Sequence, residues 1–121
     1  MKRITQKLDV VNNTTPDGKP DGGLYTVNVS SSDIGNVLRI VWQQGPLVVD
    51  GQEVPPNGLF LETAVRACIA RLEYYQTTQF KSRENAIALT HLETALLWLG
   101  ARAQRREDEG TLGTHEPDKN R

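Results

Sequence analysis

The chain has 121 residues and a formal net charge of −1, with 14 basic and 15 acidic side chains. That length suits a single domain, residues 1–121, with a modest core that association between copies can complete. Near-neutral charge argues against a large phosphate-backbone footprint, since sequence-independent DNA binding rests on accumulated Lys and Arg, so DNA is not an expected partner.

In chain order, the first part runs to residue 58 and is rich in β-branched residues and turn signals. "ITQKLDVV" (residues 4–11) reads as a strand. The Pro, Asp, Asn and Gly of "NNTTPDGKPDGG" mark a loop or long hairpin turn. "LYTVNVS" alternates with period two, with Leu24, Thr26, Asn28 and Ser30 on one face and Tyr25, Val27 and Val29 on the other. "NVLRIVWQ" is a third candidate. The expectation is a small antiparallel sheet of two or three strands, which needs further packing to be stable. "GPLVVDGQEVPPNG" reads as a connector.

The second part, residues 59–109, is helical. Leu61, Val65, Cys68, Leu72 and Tyr75 step 4, 3, 4, 3 and predict one apolar stripe, with Cys68 as a core residue. Glu62 suits the positive end of that helix. "QTTQFKS" predicts a helix–helix turn. Ser82 is the predicted N-cap of the next helix, with Glu84 in its first turn. Leu89, Leu92, Leu96 and Leu99 step 3, 4, 3, and Ala88 and Ala95 extend that seam. The fold class is therefore α+β, a small N-terminal antiparallel sheet followed by an antiparallel αα-hairpin. Leu97 and Trp98 are surplus to one hairpin and predict a second helical surface facing a partner. Residues 110–121 read as a mobile tail.

Much chemistry is missing. His91 and His115 lie on different segments without helical ligand partners, and the single cysteine excludes an intrachain disulfide or a zinc cluster. Ser30, Ser31 and Ser32 lack a nearby base, and the glycines follow no phosphate-loop spacing. Glu84 and Glu93 read as solvated carboxylates rather than acid and base. No enzyme activity, metal or cofactor is expected. The N-terminus lacks an apolar stretch of signal-peptide length, and no run approaches a membrane span, so a reducing cytosol is the expected compartment. The sequons at Asn12, Asn13 and Asn28 then carry no glycan.

An ordered set of short motifs spans residues 36–115: "QQGP" at Gln43, "NG" at Asn57, "RLEYYQ" at Arg71, "FKSREN" at Phe80, "HLETALLWL" at His91, Arg102 with Arg106, and Gly110, Gly113, Thr114 and His115. This set resembles the first Thoeris anti-defence family of phages, and its helical part resembles the hairpin of anti-CBASS sponge proteins. The resemblance implies a sponge in the cytoplasm of the infected host. Such a protein binds cyclic ADP-ribose isomers made by bacterial TIR-domain immune enzymes and does not cleave them. Some members are hexamers, trimers of dimers, that also hold cyclic di- or trinucleotides at separate sites. Against that pattern Ala103 stands for a threonine, Thr111 and Leu112 stand for Val-Glu, and Asp108 and Glu109 stand at basic positions. The acidic pair lowers the local positive potential, which weighs on a second site more than on the first.

The residues themselves offer the matching chemistry. A cyclic ADP-ribose has an adenine face and a pyrophosphate. Tyr75, with Phe80 as a second platform, supplies a ring for stacking, worth about 1–3 kcal/mol per base. Asn85 supplies an amide for a base or ribose edge. Arg102 and Arg106 supply planar forks for phosphate oxygens, and Thr114 lies where the tail can close over the pocket. Arg102 follows Asn85 by seventeen residues, or roughly 25 Å along one helix. One chain cannot close both ends on a small ligand, so a head-to-foot dimer with two equivalent pockets is expected. Plainer readings stand beside this. Tyr75 also suits the core, Phe80 the turn, Asn85 the helix start, and the arginines a helix C-terminus. A phage structural protein that uses the hairpin only for assembly, weak nucleic-acid binding through the arginines, and an enzyme that degrades the signal are the alternatives.

Overall fold

The computed structural model describes residues 6–10, 14–21, 24–31 and 35–114. His115, Asn12, Asn13 and Ser32 lie outside the described residues. The chain divides into two compact units, residues 1–45 with 55–59, and residues 46–54 with 60–121. The division does not fall at residue 58 alone, because part of the connector groups with the helices.

The first unit carries β1 (Gln6–Val10), β2 (Thr26–Ser31) and β3 (Gly35–Val41) in an antiparallel sheet of order β1-β2-β3. The small antiparallel sheet, expected with two or three strands, has three. Leu8 pairs with Val29, which pairs with Leu38, and the β2–β3 register shifts between Val29 and Ser30. Thr26 is fully buried, whereas Leu24, on the same predicted face, is exposed. Past β3 the chain makes a parallel bridge between Trp42 and Leu59. There Gln43 N donates to Leu59 O at 3.0 Å and Leu59 N to Val41 O at 2.8 Å.

The motifs "QQGP" and "NG" meet beside this seam. Asn57 Oδ1 accepts from Gln44 N at 2.9 Å and Asn57 Nδ2 donates to Gln44 O at 2.8 Å. Asn57 N in turn donates to Gln43 Oε1 at 2.8 Å. The Asn57 side chain thus pairs with the backbone as a neighbouring strand would.

The second unit begins with a hairpin that the sequence reading treated as plain connector. Here β4 (Val48–Val49) pairs with β5 (Gln52–Glu53). Asp50 and Gly51 take φ of 51° and 76°, the paired positive values of a tight I′ turn, for which Asp-Gly is a favoured sequence.

Helix α1 (Leu61–Tyr75) and helix α2 (Arg83–Asp108) pack as the expected hairpin. On α2, Leu89, Leu92, Leu96 and Leu99 are half-buried as their spacing requires. On α1 the inward stripe is rotated from the predicted one. Ile69 is the buried residue, with Val65, Leu72 and Tyr75 half-buried, while Leu61 and Cys68 are exposed. Cys68 is therefore not a core residue. Ile69, the larger side chain, takes the inward position one residue on. Ala88 and Ala95 are also exposed and do not extend the seam within one chain. Ile69 is the one buried hydrophobic residue among those whose side chains are described, while Leu97 and Trp98 are each 74% exposed.

Candidate functional site

The turn between the helices is built by polar side chains. The last carbonyls of α1 have no helical partner. Thr77 Oγ1 donates to Tyr74 O at 2.6 Å, and Thr78 Oγ1 to Tyr75 O at 2.7 Å. Gln76 then spans the turn, with Nε2 donating to Ser82 O and Oε1 accepting from Ser82 N, both at 3.1 Å. Ser82 caps α2 as predicted, its Oγ accepting from Asn85 N at 3.1 Å. Asn85 Nδ2 donates to Phe80 O at 3.3 Å. A chain of bonds through Gln76, Ser82 and Asn85 thus fixes the amide of Asn85 relative to the end of α1.

Tyr75 lies at that same end, half-buried, with its ring centroid 6.1 Å from that of Tyr74. The Arg71 guanidinium carbon stands 4.7 Å from the Tyr75 ring centroid and 5.0 Å from that of Tyr74. Such stacking of a guanidinium on aromatic rings is favourable. A hydrogen bond with the Tyr75 side chain, reinforced by its charge, holds Arg71 above the ordinary arginine range. The turn therefore joins an aromatic ring, an amide and a cation. Phe80 is 65% exposed and does not plug the turn. Sequence reasoning missed Arg71 and Gln76. Arg71 sits one turn before Tyr75, an i, i+4 spacing that pairs side chains on a helix face, and that spacing was the available signal.

The other end of α2 carries Arg102, Arg105 and Arg106. Arg102 is exposed. Arg105 pairs with Glu109 at 3.5 Å, an i, i+4 ion pair. Arg106 is only 5% exposed, and its Nη2 donates to Thr111 O at 2.8 Å and Thr114 O at 3.2 Å. Residues 110–114 are not the free tail expected. Thr111 is 1% exposed, Thr114 is half-buried, and Gly113 O accepts from Leu47 N at 2.7 Å and Val48 N at 3.0 Å.

The structure thus groups Tyr75, Phe80 and Asn85 at one end of the hairpin and Arg102, Arg106 and Thr114 at the other. α2 runs unbroken for 26 residues between them, and the two groups do not meet within one chain. Along α2 a groove of about 570 Å³ is lined by Glu93, Leu96, Leu97, Gly100 and Ala101. A cavity of about 390 Å³ in the first unit, lined among others by Lys19, Gln44 and Asn57, contains none of the expected site residues. Among the described residues there is no cluster of three or more His, Cys, Asp or Glu side chains placed to hold a metal, and no helix long and apolar enough to cross a membrane.

Comparison with known proteins bears on this arrangement. A family model described as "Acb2/Tad1, hairpin domain" matches residues 35–104, more than half of the chain. A curated relative, "Thoeris anti-defense 1" of Bacillus phage SBSphiJ7, is 42% identical over 82 residues, which cover 68% of this chain and 55% of the relative. The chain thus spans little more than half the length of that relative.

Proposed function

The chain belongs to the Acb2/Tad1 hairpin family, and we propose that it is a phage-encoded anti-defence sponge. In this reading it binds cyclic ADP-ribose signals of TIR-domain enzymes inside the infected host and sequesters them without cleaving them. The observation that carries the reading is that residue types suited to a nucleotide lie at the two ends of the hairpin, separated by the unbroken length of α2. Tyr75 stacks the base and Asn85 reads an edge, while Arg102 of a second chain holds the phosphates; Arg106, buried against the loop, holds Thr114 over them instead of clamping the phosphates itself. Phe80 borders the base.

An antiparallel two-fold dimer brings opposite ends together and forms two equivalent pockets. The apolar face of α2, with Leu97 and Trp98 exposed in the single chain, supports such a partner; a hexamer is three of these dimers. Capture in competition with an immune effector calls for nanomolar affinity, on the order of 12 kcal/mol. The relative's name, which concerns defence against Thoeris, supports the signal class. The acidic Asp108 and Glu109 weigh against a second site for cyclic oligonucleotides at that helix end.

The same apolar face also fits a hairpin that serves assembly alone. One experiment separates the readings. The protein is incubated with a panel of cyclic ADP-ribose isomers and cyclic di- and trinucleotides, washed, heated, and the released ligand weighed by mass spectrometry. Recovery of an intact isomer supports the sponge. Recovery of a cleaved product supports an enzyme, and no retained nucleotide leaves the assembly role.

A further inference from the structure

The end of α2 contains a built loop whose anchor is an arginine. Arginine is rarely this buried unless its hydrogen-bonding groups are matched. Here the two hydrogens of Nη2 go to Thr111 O and Thr114 O. The backbone around it is arranged to receive them. Thr111 N donates to Arg106 O at 2.8 Å and Gly110 N to Glu107 O at 3.0 Å, and Gly110 takes φ of 74°. That pair of bonds with a left-handed glycine is the Schellman ending of a helix. Thr114 N then donates to Thr111 O at 3.1 Å, with Gly113 at φ of 76°, the positive third position of a type II turn. Two successive turns thus aim two carbonyls at one guanidinium nitrogen.

We propose that Arg106 is a positioning residue. Its guanidinium sets the turn of residues 111–114, and so fixes where Thr114 stands at the cationic end of the hairpin. The consequence for ligand capture rests on the sponge reading, but the positioning itself does not. The bonds that commit the guanidinium to the loop lie within the chain itself, so in this proposal the loop needs no nucleotide to take its shape. Preforming a binding loop reduces the ordering cost of binding.

The test uses Arg106→Lys in the ligand-free protein. Lysine keeps the charge, but its nitrogen falls one bond, roughly 1.3 Å, short of Nη2, so it cannot reach both carbonyls. Amide hydrogen exchange at Thr111 and Thr114 should quicken by about tenfold or more, while exchange across residues 89–99 stays as in the wild type. Unchanged exchange at both threonines would overturn the proposal. A measurement on the wild type guards against a variant that fails to fold: the Arg106 Nη hydrogens should give separate, exchange-protected NMR signals. Rapidly averaged signals like those of solvated arginines would equally overturn it. Neither readout involves a nucleotide, so failure here is distinguishable from failure of the sponge reading.

Discussion

Replacing Gly58 by alanine forces open the seam of the first unit. A Cβ at that position would lie 2.4 Å from Trp42 O, 2.5 Å from Trp42 C and 2.7 Å from Gln43 N. All three are backbone atoms, so no side chain can swing aside. Relief requires the Trp42–Leu59 bridge to separate, with loss of the Gln43–Leu59 and Leu59–Val41 hydrogen bonds. Two such bonds are worth about 1 kcal/mol each. Keeping them instead means bearing an overpacking strain of about 1–3 kcal/mol. The two figures describe alternative responses to one clash, so they are not added; the cheaper one sets the loss, about 1–2 kcal/mol. Urea unfolding followed by tryptophan fluorescence suits the question because Trp42 sits at the seam, and chain concentration is held fixed so that any association does not move the midpoint. With a slope of about 2 kcal/mol per molar, the midpoint should fall by about 0.5–1 M while the slope stays constant. A midpoint within roughly 0.3 M of the wild type would refute the reasoning.

Ser82→Ala removes the cap of α2 and one end of the chain that holds Asn85, and should lower stability by about 1 kcal/mol in thermal unfolding. Because Asn85 loses its anchor, nucleotide affinity should fall as well, which titration calorimetry measures. Leu97→Glu places a charge on the exposed apolar face of α2. It should shift the protein to monomer in sedimentation with helical circular dichroism retained, and it should abolish nucleotide capture.

The features written in periodic patterns were legible in the sequence. The three-strand sheet, the leucine stripe of α2 and the Ser82 cap each follow from local rules that this chain obeys. The stripe of α1 was misread by one residue, because Cys68 and Ile69 are both apolar and spacing alone does not choose between them. The β4–β5 hairpin was missed although Asp50-Gly51 carries its turn signal. The proline-rich segment after it drew the reading towards a plain connector. Residues 110–114 were read as tail because their composition is that of a loop. Their order comes from Arg106 and from two glycines at positive φ, a tertiary cause that no local pattern expresses. Of the candidate site, the separation of the two groups of candidate residues along α2 was legible in the sequence. The sequence did not identify Arg71 beside Tyr75 or Gln76 across the turn, since both act through side-chain geometry.

Whether each pocket is shared between two chains is tested most directly by mixing two inactive variants. Tyr75→Ala and Arg102→Ala should each lose nucleotide binding. When they are unfolded together in equal amounts and refolded, half of the dimers are mixed, and each mixed dimer regains one unaltered pocket. Titration calorimetry with a cyclic ADP-ribose isomer should then count about one quarter of the wild-type sites, at wild-type affinity. No recovered sites in a mixture shown to contain mixed dimers would contradict the account.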